Sequence, residues 1–134
     1  MAKPGETTAI VGSTGCGKST LINLIPRLYD ATQGSVLVDG HDVKNITMED
    51  LRSEIGYVPQ KGVLFSGTIA SNLRYGKDDA TDSQIEEAAS IAQATEFIDS
   101  KSAKYDSPIA QGGTNVSGGQ KQRLSIARSH CKGS

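Results

Sequence analysis

The feature that most limits what this chain can fold into is a glycine-rich run that begins at Gly12 and ends at Ser19. It matches the pattern G-x-x-x-x-G-K-[ST], whose glycines let the backbone wrap a phosphate. The lysine of this pattern reaches the outer phosphates, and its last hydroxyl binds Mg²⁺. We therefore predict a nucleotide site formed by the run and the residue after it: Gly12, Ser13, Thr14, Gly15, Cys16, Gly17, Lys18, Ser19 and Thr20.

The residues around this run have the pattern that a phosphate-binding loop requires. A β-type run at residues 7–11 precedes it, and an apolar stripe predicts a helix over residues 18–28. We expect Pro26 to kink or shorten the last turn, because proline cannot donate a backbone hydrogen bond. A loop placed between a strand and a helix start points its amides at an anion, so the context supports the motif.

Turn and capping signals divide the rest of the chain into short elements. Asp39-Gly40 predicts a hairpin between residues 35–38 and 41–43, and residues 55–58 predict a strand that stops at Pro59. Helices are predicted over residues 48–54, 68–73, 81–92, 94–100 and 118 to about 130, with loops at residues 61–67 and 107–115. This order indicates an α/β part followed by a helical part.

Charge and cysteine usage exclude several classes of function. The 134 residues carry 14 Lys and Arg against 15 Asp and Glu, so the basic excess typical of nucleic-acid binding is missing. Cys16 and Cys131 lack metal-ligand spacing, which is typical of a reduced cytosolic protein. No apolar run approaches the roughly 18 residues of a transmembrane helix, so we expect any membrane association to come through a partner.

A second motif, Ser117-Gly118-Gly119-Gln120, has two interpretations. Ser117 and Gln120 form a capping box, which explains the serine and the glutamine as structural residues. Two glycines in the first turn of a helix are unfavourable, and that cap does not explain them. Exposed N–H groups at a helix start suit a phosphate, which gives the glycines a binding role.

Together these motifs make the chain resemble the nucleotide-binding domain of ABC transporters. The likeness rests on the phosphate-binding loop, on Gln60 after a strand, and on the run from Asn115 to Arg123, and it covers residues 5–128. Val116 stands where the family's L-S-G-G-Q signature has leucine. Asp39-Gly40 and the run Leu64-Phe65-Ser66-Gly67-Thr68-Ile69 are similar to the exporter branch.

The resemblance implies an α/β fold, a P-loop NTPase of ABC type that is incomplete, with a partial core sheet and a helical subdomain. Residues 1–60 would form the P-loop core part with the hairpin and the Q-loop strand. Residues 61–128 would form the helical subdomain with the signature motif, and residues 129–134 would be a tail. The family's Walker B strand, catalytic Glu and switch His follow the signature helix, so we expect them to lie outside this chain.

The resemblance also implies a function, with ATP and Mg²⁺ as ligands. Gln60 would contact the attacking water and Mg²⁺, and Ser19 would be the other metal ligand. Ser117, Gly118, Gly119 and Gln120 would contact the nucleotide held by a second nucleotide-binding domain. The chain would act at the cytoplasmic face of the membrane, joined to the transmembrane domain of an exporter. Residues 108–113 occupy the place of that branch's X-loop, with Gln111 where it has Glu.

Two other functions remain open from the sequence. One is a phosphate-binding fragment without catalytic activity, and the other is an ABC ATPase that does not transport. We also expect Cys16 to be reactive, because Lys18 and a helix N-terminus both favour the thiolate. We expect residues 7–11 and 55–58 to lack their sheet neighbours, with a rearranged sheet, strand exchange or disorder near the P-loop as the result.

Overall fold

The computed structural model describes residues 1–133. These residues contain six α-helices and four two-residue strands, joined by turns and loops. Two compact units contain them, one from Met1 to Arg52 and one from Ser53 onward, here called unit 1 and unit 2. The helices are α1 (Lys18–Asn23), α2 (Met48–Ser53), α3 (Ile69–Arg74), α4 (Asp82–Ile91), α5 (Thr95–Asp99) and α6 (Gly118–Lys132). The strands are β1 (Leu37–Val38), β2 (His41–Asp42), β3 (Gly67–Thr68) and β4 (Pro108–Ile109).

Unit 1 is held together mainly by local turns and side-chain caps. Asp39 and Gly40 have φ values of 49° and 77°, so the turn between the antiparallel strands β1 and β2 has the positive φ values that a two-residue hairpin prefers. Arg52, at the end of α2, donates to the carbonyls of Pro26 and Arg27 at 3.0 and 3.1 Å. These bonds fasten α2 to the turn that follows α1.

Unit 2 contains the hydrophobic core of the described chain. A capping box at Thr81 starts α4, which buries Ile85, Ala88 and Ala89 against α6. Small alanines at the contact allow the two helices to approach closely, and Ala127 of α6 is fully buried there. Neighbouring elements supply the rest of the core cluster, which includes Leu64, Ile69, Leu73, Phe97, Ile98, Ile109, Val116, Leu124 and Cys131.

Asn72 fixes the segment that enters α3. Its amide nitrogen donates to the carbonyls of Phe65 and Thr68, both at 2.9 Å, and its oxygen accepts from the Phe65 amide at 2.8 Å. The side chain is 2 % exposed and satisfied by these bonds, so burial costs little. Strand β3 follows in sequence and pairs antiparallel with β4, with Gly67 opposite Ile109 and Thr68 opposite Pro108.

The capped helices and the hairpin are confirmed. The hairpin around Asp39-Gly40 forms as predicted, and each predicted helix in residues 48–130 is present within a few residues of its predicted bounds. The predicted loop at residues 107–115 is only partly loop, because it contains β4 and a 3₁₀ turn at Gln111–Gly113. Helix α1 is shorter than predicted: it ends at Asn23, and turns lead through Pro26 to Arg27.

The two predicted core strands are wrong for the described chain. Residues 7–11 and 55–58 are not assigned to any strand, and the described sheets are the pairs β1–β2 and β3–β4. Residues 7–11 are all exposed, although Ile10 and Val11 are β-formers. A parallel strand is stabilised by neighbours on both edges and by cover on both faces. The fold is thus the predicted mixture of helix and sheet, without the partial core sheet.

We predict that the backbone amides of residues 7–11 exchange with solvent much faster than those in the buried turns of α4 and α6. The reason is that residues 7–11 are exposed and belong to no strand, whereas the helical amides are bonded within packed helices. Hydrogen–deuterium exchange on a dilute monomer measures this difference, with α4 as the internal reference. Equal protection of residues 7–11 and of the helices would contradict the description of residues 7–11 as an exposed segment outside any strand.

Candidate functional site

The predicted phosphate-binding loop of unit 1 is formed by turns over residues 13–17 and leads directly into α1. Gly15 and Gly17 have φ values of 82° and 95°, which L side chains rarely adopt. A Cβ added at either glycine would meet nothing within 4 Å, so the demand for glycine there comes from the backbone conformation and not from crowding. The Cys16 amide donates to the Ser13 carbonyl at 3.2 Å and closes the turn.

Lys18 folds back over the loop that precedes it. Its Nζ atom donates to the carbonyls of Gly12 and Ser13, both at 2.8 Å, and lies 3.6 Å from the Cys16 Sγ atom. Cys16 in turn lies against Gly12, because a Cβ added there would be 2.5 Å from Sγ. The ammonium group of Lys18 therefore lies on the loop and binds two of its carbonyl oxygens, both at exposed positions.

Ser19 and Thr20 lie in the first turn of α1, directly after Lys18. No side chain caps this helix start, since Gly17 occupies the N-cap position. The first amides of any α-helix lack an intrahelical acceptor, so those of α1 are available to a ligand. An apolar cavity of about 470 Å³ lies on another side of α1. It includes Ile10, Leu21 and Ile25 and none of residues 12–19, so it is not the phosphate site.

The signature motif begins α6 in unit 2. Ser117 accepts from the Gln120 amide at 3.2 Å, while the Gln120 side chain accepts from the Ser117 amide at 3.1 Å. The predicted capping box is therefore confirmed. Gly118 and Gly119 are exposed, and a Cβ added at either would meet nothing within 4 Å. Packing does not require glycine at these two positions, so the structural interpretation of the motif explains only its first and last residues.

Gln60 is exposed and lies in unit 2, as does the signature motif. The P-loop belongs to unit 1, so the structure brings two of the three predicted site elements into one unit. A long-range bond holds the residue before Gln60: the Gln122 amide nitrogen donates to the Pro59 carbonyl at 3.3 Å. Sequence analysis missed Gln122, because nothing in the local pattern links positions separated by 63 residues.

Asn115 was also missed as a functional candidate, although it directly precedes Val116. Its amide nitrogen donates to the Pro108 carbonyl, and its oxygen accepts from the Ala110 amide, both at 2.9 Å. These bonds brace the loop that contains Gln111, which is itself exposed. Val116, the residue directly before the signature motif, is 8 % exposed and belongs to the core. Its burial anchors the chain where the motif begins.

Residues 129–132, predicted to be part of a tail, continue α6 to Lys132. Cys131 is 1 % exposed in the core cluster, and this burial raises the pKa of its thiol. Ser134, the last residue of the predicted tail, lies outside the described residues. Among residues 1–133 there is no cluster of three His, Cys, Asp or Glu side chains that could hold a metal. None of the described helices is long and apolar enough to cross a membrane.

Comparison with known proteins identifies a family. The family model described as ABC transporter matches residues 1–134. A Staphylococcus aureus (strain NCTC 8325 / PS 47) protein named for multidrug export and ATP-binding/permease function is 52 % identical over 124 residues. That match covers 92 % of this chain and 22 % of the relative. The corresponding protein of the bovine strain RF122 / ET3-1 is 51 % identical over the same shares of both chains.

A solved structure shows the same likeness in three dimensions. A bacterial Atm1-family ABC exporter with ATP bound matches with a TM-score of 0.85 and 41 % sequence identity. The match covers 90 % of this chain and 21 % of that structure. The chain thus spans about a fifth of the length of the proteins it matches.

We predict that Ser117→Ala lowers the free energy of unfolding by about 1 kcal/mol, because it removes the N-cap acceptor of α6. Thr81→Ala is the matched variant, since Thr81 forms the same capping box at α4, and it should cost a similar amount. Ser102→Ala, at an exposed turn position, is the control without a cap. Urea unfolding of the three variants measures the effect. An unchanged midpoint for Ser117→Ala alone would mean that its cap does not stabilise α6.

Proposed function

Because the chain belongs to the ABC transporter family, we propose that it is the ATP-binding part of an exporter subunit that couples ATP hydrolysis to transport across a membrane. The observation that carries this proposal is the presence in one chain of a formed P-loop and of a helix start with two exposed glycines. The names of the relatives, which refer to multidrug export and ATP binding, support the transport part.

The P-loop fits the phosphates of ATP. A Cβ added at Gly15 or Gly17 would meet nothing within 4 Å, so there is open space beside the loop at both positions. Lys18 already bridges two loop carbonyls, and a phosphate would offer its ammonium stronger, charged acceptors. Ser13, Thr14, Cys16 and Thr20 would contribute backbone amides around the phosphates.

Ser19 and Gln60 supply neutral oxygens of the kind that Mg²⁺ accepts alongside water and phosphate. When bound, Mg²⁺ would neutralise charge on the phosphates during phosphoryl transfer. Gln60 would orient the water that attacks. Its exposed position at the start of a loop leaves its amide group accessible for that role.

The signature motif suits a nucleotide held by another chain. Ser117, Gly118 and Gly119 are exposed at the N-terminus of a 15-residue helix, where first-turn amides point outward. We infer a dimer in which the P-loop of one nucleotide-binding domain and the signature motif of the other enclose one ATP. Gln120 keeps the helix start in shape through its bond to Ser117.

The membrane partner would be the transmembrane domain of the exporter, which places this chain at the cytoplasmic face. An exposed aromatic pair supports a contact of this kind: Phe65 and Tyr75 are 44 % and 66 % exposed, and their ring centroids lie 4.6 Å apart. Arg128 lies over the Phe65 ring at 5.7 Å. Gln111 in the braced loop beside α6 is a second, uncharged contact candidate.

We further propose that the 134-residue chain alone binds ATP without turning it over. Phosphoryl transfer to water needs a group that positions and polarises the water. Within residues 1–133 no Asp or Glu follows a buried strand, and Gln60 alone cannot take a proton from the water. A phosphate-binding role without catalysis is thus the second candidate for the isolated chain, while catalysis belongs to the full exporter subunit.

The central prediction concerns Lys18. Lys18→Ala should weaken ATP binding by the isolated chain at least about tenfold, because it removes a charge-assisted contact to phosphate. It should abolish ATP hydrolysis by the full exporter subunit. Lys3→Ala removes the same charge from an exposed position of unit 1 and is the matched control. Unchanged hydrolysis in the Lys18 variant would refute the proposed function.

Cys16 gives an independent test of nucleotide binding. The exposed thiol beside Lys18 should react with iodoacetamide, and Mg-ATP should slow that reaction by covering the loop. Cys131 is the internal control, because its burial and raised pKa should keep it unreactive with or without nucleotide. Mass spectrometry of the two cysteine peptides measures both rates. Equal alkylation of Cys16 in the presence and absence of Mg-ATP would show that ATP does not cover this loop.

A further inference from the structure

Two glycines let the segment around Gln60 lie directly on α6. A Cβ added at Gly62 would be 2.7 Å from the Lys121 carbonyl oxygen and 2.9 Å from the Ser125 hydroxyl. A Cβ added at Gly56 would be 2.6 Å from the Ser129 hydroxyl. A side chain at either position would clash with α6. The backbone at both ends of residues 56–62 therefore lies directly against that helix.

The Gln122 side chain bonds to this segment at a point between the two glycine contacts. The partly buried Gln122 donates its amide hydrogen to the Pro59 carbonyl, the group that forms the peptide bond with Gln60. The proline ring fixes the φ angle of Pro59 itself. The backbone that carries Gln60 is therefore restrained by Gln122 before it and by the close approach of Gly62 after it.

The same helix carries the signature motif at its N-terminus. Ser117 to Gln120 form its cap and first turn, and Gln122 follows within the next turn. An α-helix is stiff over such a distance because each residue is bonded to the next turn. A displacement of the signature motif would therefore move the Pro59 carbonyl, and Gln60 with it.

We propose that Gln122 is a positioning residue for Gln60, which it acts on through the Pro59 carbonyl. This inference rests on the proposed function, in which Gln60 orients water at one nucleotide and the signature motif contacts another. Gln122 itself touches neither nucleotide in this scheme.

Hydrolysis by the full exporter subunit tests the inference. Gln122→Met keeps the length of the side chain and removes the donor. It should lower kcat about fivefold, the rate equivalent of one neutral hydrogen bond, and leave the KM for ATP unchanged. The Mg²⁺ concentration for half-maximal rate should rise, because Gln60 would be a metal contact. Gln122→Lys restores a donor and should recover most of the rate. Gln33→Met, at an exposed position of unit 1, is the matched control.

A double variant separates positioning from packing. In a Gln60→Ala background, Gln122→Met should have no further effect on kcat, because Gln122 acts through Gln60. A loss of equal size in both backgrounds, or a wild-type kcat and Mg²⁺ dependence in the single variant, would overturn the inference. The proposed function is judged separately by Lys18→Ala: if that variant loses hydrolysis while Gln122→Met does not, only the positioning role is wrong.

Discussion

The close packing of α6 against its neighbours is the interaction on which unit 2 depends. Its buried face, with Leu124, Ala127 and Cys131, closes the core against α4 and α3. At other positions of α6, the backbone of a neighbouring segment lies in direct contact with the helix. A Cβ added at Gly76 would lie 2.3 Å from the Arg128 carbonyl oxygen. One helix therefore serves as core element, as support for the Q-loop segment and as carrier of the signature motif. A shift of α6 would therefore displace the core, the Q-loop segment and the signature motif together.

Unit 1 reaches its functional geometry by different means. Helix α1 has no buried residue, and Leu21 and Leu28 are about half exposed. The P-loop nevertheless adopts a defined conformation. Its turn, its left-handed glycines and the bonds of Lys18 are all formed between residues close in sequence. The ion pair between Arg27 and Asp30 lowers the pKa of that carboxyl, but an ion pair at the surface contributes little to stability. Local geometry can thus shape this loop with little packing beneath it.

The proposed function depends on a few short motifs. The P-loop, Gln60 and the signature motif are short runs whose residue types follow from the chemistry of a phosphate. In our proposal they act in pairs, with the signature motif of one chain completing the P-loop site of another. In that proposal, a chain of this kind contributes half of each of two sites.

The sequence by itself determined the features that depend on neighbouring residues. The capping boxes at Thr81 and Ser117 and the turn at Asp39-Gly40 form as predicted, because caps and turns are satisfied within a few residues. Tertiary structure decided the rest. Residues 7–11 and 55–58 have strand composition but are not strands, because a strand exists only with a partner. The contact of Gln122 with Pro59, and the need for glycine at position 62, likewise arise only when α6 and a distant segment meet.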